Sequence, residues 1–258
     1  LGLNCFPLFE FLIFRIYTKA FKILTPKNFV YPYEERPFER AMLIATKKVE
    51  KNIFSIGYAH AVYSKGHMYL KRQHGVELPS PSVIAVTGKV AEKRFIFEGF
   101  NKELIFVVGS PRYDITRKSI TPKKYDELNS KLCLLFIVGL GYEMMHFAKL
   151  LVKNPDLAIN YNIAIRRSFH SWKDEQDQAA MLLKKNKISY KFADGALLEE
   201  IDVADIILFE STSSSFQASL MGKLIIQIQL SDVLNTSFFK KHKDMNSMLH
   251  CKSSTELK

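Results

Sequence analysis

The chain has few of the residues that staple or anchor a fold. Its three cysteines, Cys5, Cys133 and Cys251, lie far apart and in no motif spacing. That pattern excludes a disulfide framework and a cysteine-based zinc site, and it fits a reducing compartment. No run of about 20 uninterrupted apolar residues is present, which excludes an ordinary transmembrane helix. The best approach to one, Phe6 to Leu24, is broken by Glu10, Arg15, Lys19 and Lys22. No small-residue cleavage site of a secretory signal follows it. Acid is also short, with 26 Asp and Glu against 37 Lys and Arg, a formal net charge of +11. Such a balance suits an anionic substrate or an anionic membrane surface. The basic residues form no block and no nucleic-acid-binding signature, so no nucleic-acid partner is expected.

What is there is a regular alternation. Short apolar runs of strand length are separated by helical patterns through most of the 258 residues. "NFVYPY" reads as a strand, and "RPFERAMLIATKKVEKN" as a helix with Pro37 in its first turn. "IFSIGYAH", "SVIAVTG" and "ELIFVVGSP" follow as strands, with the helix "KVAEKRFIFEG" closed by Gly99. Residues 115–130 are polar, carry Pro122 and read as a linker. A second alternation then starts: the strands "KLCLLFIVGL", "LAINYNIAIRR", "ISYKFADG" and "DIILFE", with helices between them. "SSFQASLMG" is the last helix and "KLIIQIQL" the last strand. Strands separated by helices make βαβ units and parallel sheets. The predicted class is α/β, with two Rossmann-like doubly wound domains. Residues 1–27 are an N-terminal amphipathic segment, 28–118 a first domain incomplete at its N-terminus, and 119–258 a second domain. The Phe6–Leu24 helix lies on a membrane surface or packs on the rest of its domain.

The chemistry is expected where strands give way to helices. In open parallel sheets, ligands bind outside the carboxyl ends of the strands. Helix starts there offer unpaired amides and partial positive charge, which suit phosphate. "FESTSSSF" places Glu210, Ser211, Thr212, Ser213 and Ser214 at such a junction. The alternative is that these hydroxyls are only caps and turn formers. "IVGLGYE" places Gly139 and Gly141 at another junction. The third glycine of a dinucleotide fingerprint is missing, so a nicotinamide cofactor is not expected. "IAIRRSFH" brings Arg166, Arg167 and His170 to the end of the next strand, where arginine's planar fork suits phosphate. In the first half, His60 follows a strand, and Glu34 and Glu35 stand at a strand–helix junction. Each can take a proton from an incoming hydroxyl, or be structural.

Together the segments resemble the GT-B type glycosyltransferases of bacterial surface-polysaccharide biosynthesis. "VADIILFESTSSSFQASLMGKLIIQI" is similar to their donor-domain pattern, and "IGYAHAVYS" to their first-domain histidine motif. The likeness extends to transferases of CMP-linked sugars and of wall-polymer glycerophosphate. It implies transfer of a sugar from a nucleotide-sugar donor to a hydroxyl of a surface glycan or lipid-linked acceptor. No metal and no cofactor beyond the donor are implied, in keeping with the lack of a clear Asp-x-Asp motif. It implies that Ser211, Thr212, Ser213 and Ser214 hold phosphate with Gly141, Arg166 or His170. Glu210 holds ribose or sugar, and His60, Glu34 or Glu35 is the base. The alternatives are a glycerophosphate transferase, a nucleotide-sugar epimerase or an inactive nucleotide-binding module. The expected location is cytoplasmic, at the inner face of the membrane. Many relatives carry a His-Pro pair where this chain has Arg166 to His170, and an Asp-Tyr where it has Phe209-Glu210.

Overall fold

A computed structural model of the chain describes residues 6–49, 53–61, 78–118, 131–168, 173–228 and 248–251. The chain divides into two compact units, Leu1–Ser110 and Pro111–Lys258.

The first unit carries α1 (Phe6–Leu24), β1 (Asn28–Pro32), α2 (Pro37–Lys48), β2 (Phe54–Ala59), β3 (Val83–Val86), α3 (Lys89–Phe97) and β4 (Ile105–Val107). Its four strands form one sheet in the order β1-β2-β3-β4, all parallel. Helix α1 packs along α2. Its residues Ile13, Tyr17 and Phe21, four apart and so on one face, meet the core with Phe29. A chain of rings continues inward: Phe29 stacks on Tyr31 at 5.2 Å, Tyr33 on Phe95 at 6.1 Å, and Phe95 meets Phe100 at 4.9 Å. Rings buried this way contribute about 2 kcal/mol each, which is why aromatic residues crowd this short segment. Helix α2 begins at Pro37, where a missing N–H costs nothing. The Glu39 carboxylate collects the amides of Glu34 and Arg36 at 3.0 and 3.2 Å.

The second unit carries α4 (Pro111–Lys118), β5 (Cys133–Ile137), α5 (Gly141–Lys153), α6 (Pro155–Asn160), β6 (Asn162–Arg166) and α7 (Lys173–Lys185). β7 (Lys191–Phe192), α8 (Leu197–Val203), β8 (Ile206–Phe209), α9 (Ser214–Leu220), β9 (Leu224–Ile228) and β10 (Met248–Cys251) complete it. The strands run parallel in the order β10-β9-β8-β5-β6-β7. This is the doubly wound nucleotide-binding order. Alternate residues of β5 point to opposite faces. Leu134 and Phe136 pack with Phe147 and Leu151 of α5 and Leu183 of α7. Leu135 and Ile137 pack with Ile201 of α8 and Ala218 of α9. Helices therefore cover both faces of the sheet, and its central strands are apolar throughout, as a buried parallel sheet requires.

Three local expectations change. Leu157–Asn160 was expected to open a strand, but it belongs to α6. Pro155 starts that helix and Leu157 is its buried anchor. The start of the expected linker is helical: Pro111–Lys118 is α4, it belongs to the second unit, and Tyr113 lies 6.4 Å from Phe216 of α9. The compact units thus part at Ser110, ahead of the expected boundary at 118; residues 119–130 lie outside the described residues. A further strand, β10, pairs with β9, although "KLIIQIQL" reads as the last strand.

Candidate functional site

The sheet of the second unit reverses its winding between β5 and β8, which are neighbours. From β5 the chain runs outward through β6 to β7, then returns to β8. The turns that leave β5 and β8 are therefore side by side at the carboxyl end. They touch closely. A Cβ on Gly139 would come within 2.8 Å of the Ser211 carbonyl oxygen. Only glycine fits there, and the reason is close approach rather than a special φ.

Glu143 locks the two turns together. It stands at the third position of α5, where a carboxylate reaches back to the residues before the helix. Its Oε2 accepts the Gly139 N–H at 2.7 Å, and its Oε1 accepts the Ser211 hydroxyl. The side chain is fully buried. Burial pushes its pKa up from 4.5 to about 7, against the pull of the Ser211 and Gly139 hydrogen bonds and with the Glu210 charge adding to the rise. Glu210 is itself buried, and its Oε2 lies 3.6 Å from Nδ1 of His146, one turn along α5 from Glu143. The Tyr142 ring is 5.3 Å from that histidine. Burial, then the charges of Glu143 and Glu210, hold the Tyr142 hydroxyl above its usual range. Glu143, Glu210, Tyr142 and His146 thus cluster where the two turns meet.

The serine turn has its own internal order. Thr212 Oγ1 accepts the Ser214 N–H at 3.3 Å, and the Thr212 carbonyl accepts the Ser215 hydroxyl at 2.6 Å. Ser215 is buried, while Ser211 to Ser214 are half-buried. Among the described residues, the hydroxyls of Ser213 and Ser214 have no hydrogen-bond partner. Thr212 and Ser215 therefore hold the turn in shape, and the Ser213 and Ser214 side chains take no part in it. Gly141 is the buried first residue of α5, whose preceding residue, Leu140, supplies no side-chain cap.

In the first unit, β1 and β2 end side by side. Glu34 follows one and His60 the other, and their side chains meet at 3.7 Å, His60 Nε2 to Glu34 Oε1. His60 is exposed and Glu34 half-buried. The other oxygen of Glu34 accepts from Arg36 Nε at 3.1 Å.

No protein-family model matches the sequence, and no curated protein does either. Solved structures do. A glycosyltransferase from Rickettsia africae superposes over 100% of this chain and 70% of its own, at TM-score 0.60 and 10% identity. The UDP complex of S. aureus MnaA matches 88% of this chain and 64% of its own, at TM-score 0.57 and 13% identity. A UDP-GlcNAc 2-epimerase from Neisseria meningitidis, bound to UDP-GlcNAc, matches 88% of this chain and 65% of its own, at TM-score 0.52 and 11% identity. The chain spans less than two thirds of the length of the last two. The fold is GT-B.

On the GT-B scaffold the expected residues fall into three groups. Glu210, Ser211, Thr212, Ser213, Ser214 and Gly141 gather at the switch point of the second unit. His60 and Glu34 gather at the strand ends of the first. Arg166 and Glu35 are engaged elsewhere. Arg166, expected to add charge at a phosphate, gives its guanidinium to Glu200 and to the Gly195 carbonyl at 2.8 Å. Its charge is already balanced, and it lines a cleft of about 500 Å³ whose other charges, Arg167, Lys173, Asp177 and Asp194, are of mixed sign. Glu35 is not available as a base either. Its buried carboxylate accepts Tyr33 Oη at 2.6 Å and Arg40 at 3.0 Å. Those anchors hold it at a φ of +61°, a left-handed conformation that costs a non-glycine residue about 1 kcal/mol. His170 lies outside the described residues.

Sequence reading missed the glutamates that do the joining: Glu39, Glu143 and Glu200. Each stands in the first turn of its helix and accepts an amide from the residues just before it. Position within the helix was the signal that could have found them. Among the described residues, no cluster of three or more His, Cys, Asp or Glu side chains is placed to hold a metal ion.

Proposed function

We propose that the chain is the nucleotide-sugar-handling portion of a glycosyltransferase that moves a sugar to a hydroxyl of a surface polysaccharide or lipid-linked acceptor. One observation carries this reading: the β5–α5 and β8–α9 turns are pinned side by side at the switch point of a doubly wound sheet, the place where such sheets bind nucleotides. GT-B neighbours include a glycosyltransferase and a complex with UDP. In this reading the amides at the starts of α5 and α9, with the Ser213 and Ser214 hydroxyls, receive the donor phosphates. Glu210 accepts a ribose or sugar hydroxyl. His60 takes the acceptor proton, with Glu34 orienting the imidazole. A bond forms between the acceptor oxygen and the anomeric carbon as the bond to the phosphate breaks. Oriented amides stabilise the departing negative charge, so the reading needs no metal. The acceptor places the work at the inner face of the cytoplasmic membrane.

The test is a thermal-shift panel of UDP, CMP, GDP and CDP-glycerol, followed by donor hydrolysis with and without acceptor. Stabilisation by a nucleoside diphosphate or monophosphate, and turnover lost in His60→Ala with binding kept, supports the proposal. No stabilisation by any of the four refutes the donor site. Stabilisation by CDP-glycerol alone favours a glycerophosphate transferase, and binding without turnover favours an inactive binding module.

A second reading is supported by the Neisseria epimerase likeness. An epimerase would convert UDP-GlcNAc to its C2 epimer with no acceptor and return the sugar still linked to UDP. NMR of the product separates the two.

A further inference from the structure

We propose that the outward face of α1 docks on an anionic lipid surface. The helix has two faces that do different work. One, with Ile13, Tyr17 and Phe21, is packed into the first unit. The other carries six large apolar side chains in the open: Leu8 (63% exposed), Phe9 (51%), Phe11 (52%), Leu12 (49%), Ile16 (60%) and Ile23 (68%). At about 100° per residue these positions and Arg15, Lys19 and Lys22 fill a continuous arc of about 160°. All three cations are exposed, and no acid stands in the arc. The helix's single acid, Glu10, is on the packed side and half-buried. The apolar residues are not spread evenly. Leu12, Ile16, Ile23 and Phe9 form one edge of the arc, and the cations stand towards the other. The Phe9 ring also meets Phe38 of α2 at 6.5 Å, and Phe38 is exposed too.

Water is a poor solvent for such a face, and each class of cover has its own signature. A protein interface core is depleted of lysine and needs acids to meet cations. A bilayer surface accepts both features at once. The apolar edge enters the acyl boundary, while arginine and lysine lay their stems along it and reach phosphate oxygens. At 1.5 Å per residue the 19-residue helix is about 28 Å long, and its charges forbid a spanning orientation. Among the described residues no helix is long and apolar enough to cross a membrane. The whole chain's net charge of +11 adds attraction of the same sign. The inference is independent of the transferase reading, since it uses no residue of the candidate site.

The experiment is co-sedimentation of the full chain with vesicles of phosphatidylcholine alone and of phosphatidylcholine mixed with phosphatidylglycerol. Wild type is expected to bind the anionic vesicles strongly and the neutral ones weakly, with binding that falls as salt rises. Each cation near an anionic surface contributes about fivefold, so Arg15→Gln, Lys19→Gln and Lys22→Gln together lower partitioning roughly a hundredfold. Leu12→Ser with Ile16→Ser removes the binding that survives high salt. All five positions are exposed, and circular dichroism checks that the variants keep the fold. Failure of folded wild type to bind anionic vesicles overturns the proposal. So does binding that the triple variant leaves unchanged, or a homodimer that forms instead and is broken by Ile16→Asp.

Discussion

Replacing Glu143 by glutamine is expected to remove a pH dependence from the stability of the second unit. The carboxyl has an ordinary value of 4.5 when the chain is unfolded and about 7 when folded. A raised folded value means that the folded state holds its proton more tightly. The stabilisation is therefore complete below about pH 4.5 and is lost as pH rises through 7. The rise of about 2.5 pH units corresponds to roughly 3 kcal/mol. Glutamine has nearly the same shape. Its oxygen can accept the Gly139 amide, its nitrogen can donate to the Ser211 hydroxyl, and it carries no charge at any pH. At pH 4.5 the two proteins should be about equally stable. By pH 8 the variant should lead by roughly 3 kcal/mol, or about 6 to 12 °C in melting temperature for a unit of this size. Urea unfolding of both proteins at half-unit steps of pH measures the gap. A gap that stays flat from pH 4.5 to 8 refutes the claim that this carboxylate is held in a dry site between the two turns.

Three further outcomes follow from the same geometry. Gly139→Ala forces a Cβ against the Ser211 carbonyl and costs about 1–3 kcal/mol by the usual penalty for overpacking; urea unfolding measures it, and nucleotide thermal shifts should shrink with it because the turns must part. Arg166→Ala leaves Glu200 without its partner in a mostly buried place and is expected to cost about 3 kcal/mol, yet to leave nucleotide affinity at permissive temperature nearly unchanged, which isothermal titration can read. His60→Ala, at an exposed position, should change melting temperature by less than about 0.5 kcal/mol equivalent while abolishing transfer to acceptor; full activity in this variant would remove the histidine from the reaction.

Much of the fold was legible because a parallel sheet covered on both faces writes itself as apolar runs. "CLLFI", "IILF" and "LIIQI" are such runs, and they became β5, β8 and β9. The order of those strands was not legible, because any βαβ series has the same local pattern. Short elements misled for a related reason. Pro155–Asn160 is one and a half turns, too short for a helical period to show, and next to a true strand it read as part of one. The candidate site was half legible. A run of hydroxyls between a strand and a helix marks a place, but not the job of each oxygen. Arg166 shows the limit: arginine at a strand end looks the same on paper whether it waits for phosphate or is held by Glu200, which lies 34 positions away.

Local sequence by itself determined where strands and helices form, that the sheets are parallel, and that hydroxyls, a histidine and acids stand at strand ends. Those properties depend on neighbours a few residues apart, through apolar periodicity, proline at helix starts and the backbone reach of small residues. Tertiary structure alone decided which of those ends are adjacent. It set β5 beside β8, brought Gly139 against Ser211, put Glu143 in a dry gap between them, and turned one side of α1 inward while leaving the other bare. The physical reason is that adjacency of turns and the dielectric around a carboxyl belong to the packed sheet and not to any segment of chain.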